Sequence, residues 1–143
     1  MDAEWRRVAA YVVCRDDEAR LLLTRVALPG LPDDGKWTMP GGGMEWGEHP
    51  AATGLRELTE ETGLHGRIGA VLGVFSRWFD ADESFRGEAG HAVGIVYEAT
   101  DLSGDLRTAF DEGTTTSGAA WFSLDEVQAL DRVELVDFVL GLI

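Results

Sequence analysis

Apolar positions along the chain first gather in two short runs, Val8–Cys14 (VAAYVVC) and Leu21–Val26 (LLLTRV), both of strand length. The polar stretch Arg15-Asp16-Asp17-Glu18 lies between them and supplies a turn, so the pair reads as a β-hairpin. Leu28 to Gly35 holds two prolines, two glycines and two aspartates, the composition of a loop. Trp37-Thr38-Met39 follows as a short strand candidate, and Pro40-Gly41-Gly42-Gly43 reads as a loop with exposed backbone. The apolar period then becomes helical, with Pro50 at the first position and Gly63 just past the end. Ile68–Phe79 and His91–Ala99 read as strands joined by a polar loop, and Ala119–Phe122 as another short strand. Ser123-Leu124-Asp125-Glu126 has capping-box spacing and opens a second helix, which the apolar segment Val133–Leu140 extends or follows. Strands, helix, strands, helix in this order predict an α/β sandwich built on a mixed sheet, not a doubly wound parallel one.

The first helix carries the candidate chemistry. At about 100° per residue, Glu57, Glu60 and Glu61 share one face, and Ala51, Leu55, Leu58 and Thr62 form an apolar stripe beside it. Gly54, on the border, is a position where another element can approach closely. The acids oppose helix stability: they repel at i, i+3 and i+4, and they occupy the C-terminal half, where the dipole disfavours negative charge. Arg56, four residues before Glu60, offsets only part of this. Two readings are open: a solvated acidic face in an acidic protein, or a site for a hard divalent cation, since Mg²⁺ or Mn²⁺ takes carboxylate oxygens and recruits phosphate oxygens. The glycine loop before the helix can turn a carbonyl toward the same ion, and Glu48 near the helix start reads as structural, a partner for Arg56.

Composition narrows the class. With 143 residues, 45% hydrophobic and 27% charged, the chain reads as one globular domain over 1–143, which excludes disorder and collagen. Its formal net charge of −14 opposes nucleic-acid backbones and anionic membranes as partners, and would repel a phosphorylated metabolite unless a cation intervened. The single cysteine, Cys14, lies in an apolar run and reads as inert core. Met1-Asp2-Ala3-Glu4 is acidic where a signal peptide is basic, and no apolar run has membrane-spanning length, so the expected location is cytoplasmic.

Gly42, five residues, Glu48, seven residues, Arg56-Glu57-Leu58, one residue, Glu60-Glu61, one residue, Gly63-Leu64 resembles a complete Nudix box. The approach Trp37-Thr38-Met39-Pro40-Gly41-Gly42 is similar to the family's lead-in. The resemblance implies an α/β/α sandwich and a hydrolase of nucleoside diphosphates linked to another group, dependent on Mg²⁺ or Mn²⁺. It implies that Glu57, Glu60 and Glu61 are metal ligands with the Gly41 carbonyl, that Arg56 holds the glutamates, and that Gly63 caps the helix. The general base comes from the box or from a later loop, where Glu112 is the candidate and Glu98 the alternative. Arg25 matches a position where relatives carry a base facing the phosphates.

Substrate cues are mostly absences. No proline follows Pro50 and Tyr97 is the only later tyrosine, which argues against the patterns of ADP-ribose and dinucleoside-polyphosphate hydrolases. The default that remains is a MutT-like pyrophosphohydrolase of nucleoside triphosphates, with Trp78, Phe79 and Phe85 as candidates to stack a base. The alternatives are a nucleotide-sugar or other nucleotide-conjugate pyrophosphatase, a non-catalytic nucleotide-binding module, and an isomerase of allylic diphosphates using Cys14 as acid. A homodimer is compatible with this reading.

Overall fold

A computed structural model of the chain describes residues 4–84 and 86–143, so the sequence expectations for Met1-Asp2-Ala3 and Phe85 lie outside the described residues. Among the described residues, seven strands form two sheets. Strands β1 (Glu4–Val13), β4 (Gly41–Gly43), β5 (His65–Phe79) and β6 (Ala89–Ser103) form one sheet in the order β4-β1-β6-β5. That sheet is mixed, because β1 runs parallel to β6 while the β1–β4 and β5–β6 pairs are antiparallel. Strands β2 (Leu21–Val26), β3 (Trp37–Thr38) and β7 (Thr116–Phe122) form a second, antiparallel sheet in the order β3-β2-β7. Helix α1 (Pro50–Thr62) packs on the first sheet, and α2 (Leu124–Gln128) and α3 (Glu134–Leu140) follow β7.

Alternation along β1 explains the layering. Ala10, Val12 and Cys14 pack with Leu58 and Leu64 beneath α1, whereas Val13 turns to the opposite face and packs with Leu21, Leu23, Val136 and Val139. A strand buried on both faces reads as a near-continuous apolar run, and VAAYVVC is one. The α/β sandwich with a mixed sheet is therefore the observed fold.

Two local expectations need correction. The expected hairpin does not form a continuous ladder: Leu22 N–H donates to the Cys14 carbonyl at 3.1 Å and Arg15 bridges Leu21, then β1 and β2 diverge into different sheets. The cause is that β2 also buries both faces, Leu21 and Leu23 toward one core and Leu22 toward the other, so it lies between layers. Gly41–Gly43, expected as a loop, is the edge strand β4. Glycine makes this possible, since a Cβ at Gly41 would lie 2.2 Å from the Ala10 carbonyl oxygen.

The helix boundaries follow their signals. Pro50 opens α1, His49 Nδ1 accepts from the Ala51 amide at 3.0 Å, and Gly63 closes the helix in the left-handed region at φ 81°. Its amide donates to the Thr59 carbonyl at 2.9 Å. Gly54 sits over β1, where a Cβ would come 3.0 Å from Val12 Cγ1. Before α2, Ser123 Oγ accepts from the Glu126 amide at 3.1 Å while Glu126 Oε1 accepts from the Ser123 amide at 2.9 Å. No helix among the described residues is long and apolar enough to cross a membrane.

Gly63→Ala is expected to destabilise the fold by about 1–2 kcal/mol or more, because alanine disfavours this φ. Its Cβ would also meet the Asp105 carbonyl oxygen at 2.7 Å. Urea unfolding measures the change, and a midpoint equal to that of the parent protein would contradict it.

Candidate active site

A cleft of about 280 Å³ opens between the two sheets. Gly41, Gly42 and Glu61 line one part of it, Arg7 and Arg77 bring positive charge, and Leu28, Leu31, Phe75 and Phe79 form an apolar wall. Arg7 and Tyr11 reach it from β1, and Arg77 from β5. Arg77 donates to Asp33 Oδ2 at 2.8 Å, tying β5 to the loop that follows β2.

The acidic helix meets this cleft through its last two turns. Glu61 accepts from the Gly41 amide at 2.8 Å and from Thr116 Oγ1 at 3.2 Å, so both carboxylate oxygens are held. Burial pushes the Glu61 carboxyl up to about 8; the two hydrogen bonds oppose the shift and the charges of Glu57 and Glu60 add to it. Glu57 presses its carboxylate against Gly42, where a Cβ would come 2.7 Å from Oε1. Burial, the largest cause, raises its pKa too, with Arg56 opposing and Glu60 adding. Glu60 is the exposed member of the three.

Arg56 organises this group. Its Nε donates to Glu48 Oε2 at 2.8 Å and its Nη2 to Glu48 Oε1 at 3.0 Å, a bidentate fork. Nη2 also donates to the Gly43 carbonyl at 3.2 Å, and Nη1 to Glu57 at 3.1 Å and Glu60 at 3.2 Å. The Arg56 hydrogen bonds, first among the causes, lower the Glu48 carboxyl to about 2, and Thr53 Oγ1 adds another bond at 2.7 Å. Glu48 is thus a structural anchor for Arg56.

As the side chains stand, no three acids, histidines or cysteines among the described residues converge tightly enough to grip an ion. The Arg56 guanidinium lies against Glu57 and Glu60, and Glu61 is turned to Gly41 and Thr116. The donor chemistry nevertheless fits a hard divalent cation. Glu57 and Glu61 are desolvated carboxylates with raised pKa values, Glu60 adding to the shift at both and Glu57 to that of Glu61; Glu57 lies in a cradle that any Cβ at Gly42 would fill, and a cation would relieve both strains. Glu57, Glu60 and Glu61, with the Gly41 backbone beside Glu61, are the groups that could hold it.

The remaining expected residues lie apart. Arg25 is exposed at the end of β2, with Nε donating to the Gly35 carbonyl at 3.2 Å, and it is not part of the cleft wall. Glu112 is exposed on the loop before β7, and Glu98 is exposed on β6 beside Gly69. Of the aromatic candidates, Phe79 lines the cleft, while Trp78 is 72% exposed and stacks on His91 at 4.0 Å. Cys14 is fully buried and its thiol is pushed up to about 12 by that burial, away from the cleft. The sequence reading passed over Arg7, Tyr11, Arg77 and Thr116. The signal for the first two was available, since Arg7 and Tyr11 lie four apart on a strand face whose other members are Trp5, Ala9 and Val13.

The acidic helix thus meets, through Glu61, a cleft that carries two arginines. The NUDIX domain family model matches residues 5–139, and the chain belongs to the Nudix hydrolases, whose reaction class is cleavage of phosphoric anhydride bonds. The chain is 43% identical over 129 residues to mouse (Mus musculus) diphosphoinositol polyphosphate phosphohydrolase 3-alpha, covering 87% of this chain and 69% of that protein. It is 33% identical over 113 residues to the putative mutator protein MutT4 of Mycobacterium tuberculosis, covering 79% of this chain and 42% of that one. Its fold matches the crystal structure of a MutT NUDIX hydrolase from Burkholderia pseudomallei with a TM-score of 0.78 at 28% identity, covering 96% of this chain and 98% of that one. Nudix hydrolases generally need divalent metal ions.

The Glu61 shift has a thermodynamic consequence. Folded and metal-free, Glu61 holds its proton to about pH 8, whereas unfolded it ionises near the ordinary value of 4.5. Its contribution to stability is fully present below the unfolded pKa and is lost as pH rises through the folded one. With chelator present, Tm is expected to fall between about pH 5 and pH 8, and Glu61→Gln to flatten that fall. Parallel pH–Tm curves for the two proteins would contradict the assignment.

Proposed function

We propose that this chain, as one Nudix hydrolase domain over residues 1–143, hydrolyses a nucleoside triphosphate with release of pyrophosphate. In this reading Mg²⁺ or Mn²⁺ is held by Glu57, Glu60, Glu61 and the backbone of Gly41, and the enzyme acts in the cytoplasm. The observation that carries it is the mixed lining of the cleft, with Glu61, Arg7 and Arg77 set among Leu28, Leu31, Phe75 and Phe79. Such a cleft suits a ligand with a charged diphosphate and a flat, apolar base.

A bound divalent ion supplies charge neutralisation and water activation. The chain's own groups do the rest. Arg56, braced by Glu48, orients Glu57 and Glu60, while Gly41 and Thr116 orient Glu61. Arg7 and Arg77 attract the phosphates.

The mouse relative's name suggests a second reading, a diphosphoinositol polyphosphate. The charge balance favours the nucleotide. Arg7 and Arg77 are the only cations among the described residues lining the cleft, against Asp33, Glu61 and Glu83. A densely phosphorylated inositol would need far more positive charge, and the chain's net charge is −14.

A screen of nucleoside triphosphates, nucleotide sugars and diphosphoinositol polyphosphates with Mg²⁺ and Mn²⁺ is expected to give the highest kcat/KM with a nucleoside triphosphate and to release pyrophosphate. A preference for the inositol compounds would overturn the substrate assignment. Glu57→Gln and Glu61→Gln are each expected to lower kcat by about 100-fold or more with the fold intact; near-normal turnover in either would refute its role. Glu112→Gln tests the general base: a fall in kcat with unchanged Mn²⁺ affinity supports it, and an unchanged kcat returns the role to a glutamate of the box.

A further inference from the structure

The cleft contains a polar group that the proposed chemistry leaves unused. Tyr11 lies on β1 four residues beyond Arg7, on the same face, and lines the cleft beside Gly41 and Glu61. Two glycines on the neighbouring strands make a slot for its ring. A Cβ at Gly41 on β4 would come within 2.5 Å of Tyr11 Cδ1, and one at Gly94 on β6 within 2.8 Å of Cε2. Neither position tolerates a side chain while the ring stays there.

Packing accounts for the ring but not for its oxygen. Fully buried side-chain polar atoms among the described residues all have partners, yet the Tyr11 hydroxyl makes no hydrogen bond to any described residue. It therefore opens on the cleft. Four charged groups act on it there, Arg7 and Arg77 with one sign and Glu61 and Glu57 with the other. Phenylalanine would fill the slot equally well, so the hydroxyl calls for a ligand.

We propose that Tyr11 is a substrate-binding residue whose hydroxyl donates a hydrogen bond to a non-bridging oxygen of the substrate diphosphate, on the β1 wall it shares with Arg7. This rests on the reading of the cleft as a diphosphate site. A neutral donor suits the position. A third cation here would pair with Glu61 and Glu57 and compete with a divalent ion, and a carboxylate would repel the phosphates. The phenol does neither. Burial, opposed by Arg7 and Arg77, holds its pKa above the ordinary value, so it remains a donor at neutral pH.

Tyr11→Phe removes the oxygen and keeps the ring. Titration calorimetry in Mn²⁺ with imidodiphosphate, and separately with an α,β-imido nucleoside triphosphate, measures the loss. Mn²⁺ binding alone and Tm serve as controls. Imidodiphosphate is expected to bind roughly tenfold more weakly or worse, as for loss of a hydrogen bond to a charged acceptor, with Mn²⁺ affinity and Tm unchanged. Binding within about twofold of the parent would overturn the proposal. So would a matching loss of Mn²⁺ affinity, which would place the effect on the carboxylates, or a marked fall in Tm, which would make the role one of packing. If the parent protein binds imidodiphosphate but not the nucleotide, the nucleotide reading fails and Tyr11 is still judged on imidodiphosphate. If it binds neither, the Tyr11 proposal falls as well.

Discussion

The Arg56–Glu48 fork is the constraint on which the rest of the candidate site depends. Three glutamates on one helical face repel one another in a chain that already carries a net charge of −14. A single guanidinium, fixed by two hydrogen bonds to Glu48 and one to the Gly43 carbonyl, reaches Glu57 and Glu60 from a defined direction. It joins strand β4, the segment before α1 and the acidic face of the helix. A lysine could not make these contacts, because its single nitrogen lacks the planar fork.

Close approach is the second theme. Gly41 admits the β1 backbone and the Tyr11 ring, Gly42 admits the Glu57 carboxylate, and Gly54 lets α1 settle on Val12. Each glycine lets a neighbouring group come nearer than a Cβ would readily permit. The same closeness removes water from Glu57 and Glu61 and raises their pKa values. Carboxylates left in that state are poised to gain from a cation. Helix stability by itself gives no reason to put them there.

The relatives and the cleft pull in different directions over the substrate. The side chains that line the cleft are drawn from separate strands, Arg7 on β1 and Phe75, Arg77 and Phe79 on β5, together with the loop carrying Leu28, Leu31 and Asp33. These positions lie outside the motif Gly42–Leu64.

The sequence by itself determined whatever rests on neighbours along the chain. The bounds of α1 follow from Pro50 and Gly63, the start of α2 from the Ser123–Glu126 box, and the shared face of Glu57, Glu60 and Glu61 from helical period alone. The mixed α/β character was legible from the order of elements. Tertiary structure decided the contacts between distant segments. It split the expected β1–β2 hairpin between two sheets, because both strands bury both faces, and it turned three glycines into an edge strand against β1. It left Arg25 outside the cleft and brought in Arg77, 44 residues from its partner Asp33, and Thr116, 55 residues from Glu61. Local propensity acts over a few residues, while desolvation and hydrogen bonding in a cleft depend on which strands become neighbours. That adjacency is a property of the folded chain.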